Sequence, residues 1–336
     1  MDAEQAVSGV DVRLVTGDGV ARREVGDLEK LLGHGEGVVW VDVPACDAEA
    51  SRVLSEVFGF HPQAVRDCEQ RNPVPKVHVY PDHVFVVLHA PEPGASGHVH
   101  FVELDQFVGP NYFVTVHGPL NPAVDPDAAR VETSTLARRL DSGRLRPTSA
   151  FELSFHVVTA LTGRMRAYLT VLTQEVWTLE QQVTAGQMGD PEQFLDAMFR
   201  VRHGLLALRT MAMLSREVYG RMATLTVFGT GTGQSLLTDI VDQFQRIATM
   251  ADGQKDYLQG VIEFYQTRTN TKMTIAAERL AVIAAVTLPV TALSSVVGMN
   301  VIVNDSTHYG VLVVLLAVMV VMSAALLVWA KRKGWW

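Results

Sequence analysis

The sequence has few cysteines and no excess of positive charge. Its 336 residues include only two cysteines, Cys46 and Cys68, and these form no C-x-x-C pair. We interpret them as reduced thiols of a cytoplasmic domain, which argues against a disulfide framework. The formal net charge of −8 argues against a nucleic-acid partner. The first ten residues, MDAEQAVSGV, contain no apolar core, so we expect no signal peptide there.

The sequence also lacks the motifs of the common enzyme classes. It contains no paired catalytic carboxylates, no Ser-His-Asp order and no cofactor loop. The glycine-rich stretch at 228–234 is not followed by a lysine, so it predicts a turn between helices and not a phosphate loop. We therefore expect a protein that is not an enzyme.

Two long runs without charge lie near the C-terminus. Residues 280–298 contain no charged side chain, and residues 310–330 form a second such run. Each run is long enough to cross the roughly 30 Å hydrocarbon layer of a membrane as a helix. Three cations at 331–333 follow the second run. Because such cations mark the cytoplasmic side, we predict a multi-pass protein of the plasma (inner) membrane with both termini in the cytoplasm.

The first run is small and mildly polar, whereas the second is rich in leucine and valine. Helical spacing places the following residues of the first run and its approach along one stripe: Thr274, Ala277, Ala281, Ala284, Leu288, Thr291 and Ser295. Such a stripe is typical either of close helix packing or of the wall of a narrow, wet pathway. Leu280 and Leu288 are candidates for constrictions that gate such a pathway by dewetting.

The tripeptide Gly298-Met299-Asn300 follows at the end of the first run. A short loop, a last helix and a basic tail come after it. With the tripeptide in this position, the chain resembles the CorA family of divalent-cation channels. That family includes magnesium transporters and the zinc-transporting ZntB branch. The resemblance implies that five chains surround one pore, that the first span lines it, and that these three residues form its outer mouth. A simple helix C-cap is the alternative.

The resemblance extends over nearly the whole chain. Short segments recur in the same order in CorA-like proteins, namely 40–42, 59–62, 75–77, 85–88, 108–112 and 114–117, together with Asp67. Apolar runs alternate with turn residues and predict strands at 37–43, 77–80, 84–89, 98–107 and 112–116. A helix is predicted at 47–58. The pattern indicates an α/β domain with a mixed sheet.

Long helices are predicted from about residue 147 onward. Apolar spacing predicts helices over 153–183 and 191–227, and a single helix over 235–298 would span roughly 95 Å as a stalk. The fold class is therefore a CorA-like funnel with an α/β domain, a helical stalk and two C-terminal membrane helices. The predicted domains are α/β at 1–146, helical at 147–235, stalk at 236–279, first span with its tripeptide at 280–300, loop at 301–309, second span at 310–330 and tail at 331–336.

The resemblance also implies a regulatory site for intracellular Mg²⁺ between neighbouring chains, and the matching positions are Asp67 and Asp239. Carboxylates that face each other across a subunit boundary repel until a cation bridges them, so the ion favours the closed state. Isolated exposed aspartates are the alternative. In the loop, Asp305 either concentrates cations outside the pore or is an ordinary solvated residue.

The function implied by the resemblance is Mg²⁺ uptake by a homopentamer in a lipid bilayer. The ligand would be a hydrated divalent cation, driven by the membrane potential and gated by intracellular Mg²⁺. The alternatives are transport of Zn²⁺, Co²⁺ or Ni²⁺, with or without coupling to protons, and a membrane-anchored sensor that does not conduct. The sensor predicts a featureless first span, which the small and polar stripe does not match.

Overall fold

The computed structural model describes residues 9–35, 37–119, 121–186, 190–224, 232–298 and 309–332. They form two compact units, and the boundary falls between Val261 and Ile262. The N-terminal unit contains a seven-stranded sheet with its helices and the first part of a long helix. The C-terminal unit contains the rest of that helix and the last helix.

The sheet is mixed, as the sequence predicts. Its strands are β1 (Asp11–Thr16), β2 (Gly19–Arg23), β3 (Val38–Val43), β4 (Lys76–Val79), β5 (Val84–Pro93), β6 (Val99–Val108) and β7 (Tyr112–Val116). They lie in the order β2-β1-β3-β7-β6-β5-β4. The pair β3–β7 is parallel, with Val41 opposite Val114, and all other neighbours are antiparallel. The β1–β2 hairpin was not among the predicted strands.

The helices are α1 (Leu28–His34), α2 (Ala48–Arg52), α3 (Pro62–Glu69), α4 (Pro126–Ala129), α5 (Val131–Asp141), α6 (Ala150–Ala185), α7 (Pro191–Met222), α8 (Thr232–Gly298) and α9 (Tyr309–Arg332). The single helix predicted at 47–58 is instead α2 followed by a π-helical turn, Val53–Val57. Asp47 begins it by accepting a hydrogen bond from the Ala50 amide at 2.8 Å. Gly59, with φ of 66°, ends it.

The sheet lies between two helical layers. On one face, side chains of β3, β5 and β7 form a core with α1, α2 and α3, in which Val41, Leu54 and Phe85 are fully buried. On the other face, α6 contacts β3, β5, β6 and β7, while α7 contacts β4 and β5. Because successive strand residues point to opposite faces, a strand covered on both sides is buried along its whole length. This explains the uninterrupted burial of β3 and β7.

Several of the family-like segments meet in one buried polar network. Trp40 donates from Nε1 to Thr115 Oγ1 at 3.1 Å, and Thr115 donates to Asp42 Oδ1 at 2.6 Å. His117 Nε2 lies 3.0 Å from the same Asp42 oxygen and 3.1 Å from Thr133 Oγ1 on α5. Burial alone would raise the pKa of Asp42, but His117 and the hydroxyl hydrogen bonds outweigh it and lower that pKa. These residues therefore stabilise the fold of the N-terminal unit.

Helix α8 joins the helical layer of the N-terminal unit through its first turns. Its Phe244 ring lies 5.9 Å from the ring of Tyr219 on α7. Thr162 on α6 donates a hydrogen bond to Gln243 at 2.6 Å, and Arg209 on α7 forms an ion pair with Asp252 at 2.9 Å. The start of the predicted stalk is thus packed on α6 and α7.

The C-terminal unit contains the two predicted spans, and both are helical. Helix α8 continues through Pro289 to Gly298 without interruption. Both α8 and α9 contain segments long and apolar enough to cross a membrane, and only 6% of each segment is buried within the chain. Large apolar side chains such as Leu280, Leu288 and Val320 are about two-thirds exposed. Exposed apolar surface of this extent marks a face that contacts a membrane or another protein.

Candidate functional site

The stripe predicted to line the pore is an exposed face of α8. All seven of its residues, from Thr274 to Ser295, are exposed in the single chain. The opposite face is partly covered, since the residues with reduced exposure are Val282, Val286, Pro289, Val290 and Leu293. At 3.6 residues per turn, the centres of these two faces lie roughly 160° apart around the helix. The small and polar face is therefore available for another surface or for water.

Helix α9 has a matching stripe of partly covered residues, which are Leu315, Met319, Met322, Ser323, Leu326 and Ala330. They follow a spacing of three and four residues, as expected for one face of a helix. A partly covered stripe therefore runs along each of the two helices in this unit, and on α8 it lies opposite the small and polar face.

The threonines of the stripe present acceptor oxygens. Thr274 Oγ1 donates to the carbonyl of Asn270 at 3.0 Å, and Thr291 Oγ1 donates to the carbonyl of Thr287 at 2.8 Å. Each hydroxyl proton is therefore used within the helix, while the lone pairs of the oxygen remain free. Neutral acceptor oxygens along one face suit the water shell of a cation.

The two leucines predicted as gates occupy different positions on α8. Leu288 lies near the centre of the exposed stripe, whereas Leu280 lies roughly 70° from that centre. Both side chains are about two-thirds exposed in the single chain. Leu288 is therefore the better placed of the two for a constriction.

The predicted outer mouth is described only at its first residue. Gly298 is the last residue of α8 and is exposed. Met299 and Asn300 lie outside the described residues, and so does Asp305 of the loop. Their assignment remains a prediction from the sequence.

Asp67, predicted as a regulatory ligand, lies on α3 and is only 8% exposed. Its Oδ2 forms an ion pair with Lys76 Nζ on β4 at 2.7 Å. Its Oδ1 accepts a hydrogen bond from Gln63 Nε2 at 3.2 Å, and His78 Nε2 lies 4.0 Å from Oδ2. Both oxygens of this carboxylate therefore already have partners within its own chain.

Lys76 is also close to two further acids. Burial raises the pKa of Glu103 and of Asp105 on β6, and the charge of Lys76 opposes both shifts. Glu103 accepts a hydrogen bond from the Asn72 amide at 2.8 Å. One ammonium group thus lies in the field of three carboxyl groups, including that of Asp67.

Asp239, the second predicted regulatory residue, is exposed on the first turns of α8. Its Oδ2 accepts a hydrogen bond from Gln243 Nε2 at 2.8 Å, and Gln243 is in turn held by buried Thr162. Within the described part of one chain, no group of three or more His, Cys, Asp or Glu residues could hold a metal ion.

Comparison with known proteins identifies the family. The sequence profile of the family described as "CorA-like Mg2+ transporter protein" matches residues 35–332, which is most of the chain. The chain belongs to this CorA-like family. It is similar to the cobalt/magnesium transport protein CorA of Thermotoga maritima, with 24% identity over 311 residues, covering 88% of this chain and 83% of that protein.

Solved CorA-family structures show the same fold. The complete structure of the CorA magnesium transporter from Methanocaldococcus jannaschii superposes with a TM-score of 0.80 at 15% identity, covering 97% of this chain and 98% of that chain. The cytoplasmic domain of ZntB from Vibrio parahaemolyticus reaches a TM-score of 0.59 at 8% identity, covering 78% of this chain and 98% of that chain. The predicted CorA-like fold is confirmed, and the ZntB domain shares it.

The CorA resemblance did not indicate the side chains that hold the two aspartates. Lys76 is nine residues from Asp67 and belongs to a different element, so helical spacing could not pair them. Gln243 follows Asp239 by four residues on one helix, which is a recognisable spacing for a side-chain hydrogen bond. That contact could therefore have been predicted from the sequence.

Proposed function

We propose that this CorA-family divalent-cation transporter assembles as a homopentamer whose α8 helices surround a wet central pathway for Mg²⁺. The observation that carries the proposal is the exposed small and polar face of α8, opposite the face covered within the C-terminal unit. In a pentamer, five such faces would surround one axis. Neighbouring helices would pack along the edges of these faces, and the threonine and serine oxygens would point towards the ion. The apolar faces that remain would contact lipid.

We propose that the chain lies in the plasma (inner) membrane and that both of its termini are in the cytoplasm. Support comes from Lys331 and Arg332 in the last turn of α9, since cations flank spans on the cytoplasmic side. The membrane potential then drives uptake, because a divalent ion gains about 4.6 kcal/mol per 100 mV, twice the value for a single charge. No nucleotide is needed.

Mg²⁺ is the favoured ion because it dehydrates reluctantly and usually keeps several waters. A filter for such an ion presents neutral oxygens to an intact hydration shell. Asn300 side-chain carbonyls and Gly298 backbone carbonyls from five copies would supply those oxygens. Asp305 in the following loop would add negative potential outside the mouth.

Ion flux into liposomes that hold the purified protein tests the proposal. We expect Mg²⁺ to enter fastest in a series with Co²⁺, Ni²⁺ and Zn²⁺, and an inside-negative potential to accelerate entry. The curated relative named for cobalt and magnesium makes Co²⁺ the second candidate. Faster Zn²⁺ entry that depends on a proton gradient would favour the ZntB-like alternative, and no flux of any ion would favour the non-conducting sensor.

We further propose that intracellular Mg²⁺ closes the channel by bridging Asp67 of one chain and Asp239 of the next. Changing both residues to asparagine removes two charges per interface, so we expect high internal Mg²⁺ no longer to stop the flux. Uptake of Co²⁺ under the same inside-negative potential, into liposomes loaded with about 20 mM or with near-zero Mg²⁺, checks this, because divalent ions bind such sites through carboxylate charge. Asp242→Asn, on the same helix as Asp239, is the matched control. Closure as in the parent protein would contradict the sensor.

A further inference from the structure

The carboxylate of Asp67 is occupied by a cation of its own chain. Lys76 Nζ lies 2.7 Å from Oδ2, and the two side chains are 27% and 11% exposed. That oxygen is inaccessible to solvent and, in the described part of the chain, has no hydrogen-bond partner beside this ion pair, while the other oxygen accepts a hydrogen bond from Gln63. A divalent ion therefore cannot reach Asp67 Oδ2 unless the lysine ammonium moves away.

We infer that Lys76 is a tethered counter-ion of Asp67, and that a divalent cation binds this carboxylate by displacing the Lys76 ammonium. This inference rests on the proposed sensor role of Asp67. A bound lysine satisfies the buried charge when the ion is absent, which avoids an unpaired carboxylate. A doubly charged ion attracts the carboxylate more strongly than the single charge of lysine does. Competition of this kind sets the ion concentration at which the site fills.

The surroundings of Lys76 give the displaced ammonium somewhere to go. Its charge already acts on Glu103 and Asp105 of β6. The Lys76 side chain is also 27% exposed. The displaced ammonium can therefore turn towards water and is not left unpaired in the interior.

Substitution of Lys76 tests the inference in the full-length protein. Lys76→Gln removes the competing charge, whereas Lys76→Arg keeps it and serves as the matched control. We expect the Mg²⁺ concentration for half-maximal protection against thermal unfolding to fall about ten-fold in Lys76→Gln, which corresponds to about 1.4 kcal/mol. Lys76→Arg should stay within about two-fold of the parent protein. An unchanged or higher midpoint in Lys76→Gln would overturn the inference.

A second measurement needs no substitution. Acylation of lysines in the parent protein, followed by mass spectrometry, reports whether each ammonium group is free. We expect Mg²⁺ to increase the labelling rate of Lys76 several-fold and to leave that of Lys272, an exposed lysine of α8, unchanged. Slower or equal labelling of Lys76 in Mg²⁺ would show that the lysine is not displaced.

Asp67→Asn separates this inference from the proposed sensor. If Mg²⁺ protects Asp67→Asn as well as the parent protein, the sensor itself is wrong. If Asp67→Asn loses that protection while both Lys76 measurements show no response, the sensor stands and only the role of Lys76 is wrong.

Discussion

Replacing Asn300 with alanine is expected to lower Mg²⁺ uptake at least about a hundred-fold, a loss equivalent to about 2.7 kcal/mol. Helix α8 ends at Gly298, so Asn300 follows directly at the predicted outer mouth. Its amide oxygen would accept hydrogen bonds from waters polarised by the ion, and a bond to a charged group contributes about 1.5–3 kcal/mol. In a pentamer the substitution removes five such oxygens at once.

Uptake into liposomes under an inside-negative potential measures this effect. Asn304→Ala is the matched control, because it makes the same change four residues further along the loop. We expect that variant to retain uptake within about two-fold, since the proposed mouth does not include it. Size analysis must show that Asn300→Ala still assembles as the parent protein does. Parent-like uptake by an assembled Asn300→Ala protein would contradict the assignment of the outer mouth, and the helix C-cap would then explain the tripeptide.

The elements whose apolar residues recur with a clear helical or strand period could be predicted from the sequence. Strand β7 matches its prediction at 112–116, and the two C-terminal spans correspond to helical segments of α8 and α9. The β1–β2 hairpin was missed although its two-residue turn, Gly17-Asp18, is a recognisable hairpin signal. Strand β5 extends to Pro93, four residues beyond its prediction, because proline is tolerated near the end of a strand.

The surroundings of the proposed sensor could not be predicted in the same way. Asp67 was expected as a carboxylate available to a cation, yet it forms an ion pair with Lys76. That pair depends on how α3 approaches β4, which is a tertiary contact and leaves no periodic signal. Asp239 is exposed as an interfacial ligand must be before assembly. In the proposed sensor, Asp239 would need only a neighbouring chain to bind the ion, whereas Asp67 would also need Lys76 to move away.

Helical spacing predicted the stripe of small and polar residues, but it could not predict what the stripe contacts. Spacing placed Thr274 and Ser295 on one face and left open whether that face packs against a helix or lines water. The structure adds that the partly covered residues of α8, such as Val282, lie on the opposite side. The stripe is therefore uncovered within the single chain, which leaves neighbouring copies, water or lipid as its surroundings.

Leucine at Ser295 is expected to reduce Mg²⁺ flux about ten-fold or more, because a bulky apolar side chain repeated around the axis narrows and dewets the pathway. Ser294→Leu is the matched control. Its side chain is also exposed but points roughly 100° away from that of Ser295. We expect its flux to stay within about two-fold of the parent, since leucine is well tolerated against lipid. Flux into liposomes measures both variants.

The assembly state of Ser295→Leu distinguishes the two interpretations of the stripe. A wet pathway has room for leucine at the cost of conduction, so the variant should remain an oligomer of the parent's size in detergent. Close helix packing has no such room, because small residues let backbones approach, and leucine would then break the oligomer apart. Normal flux through an intact oligomer would contradict both, and would show that this face of α8 contacts lipid.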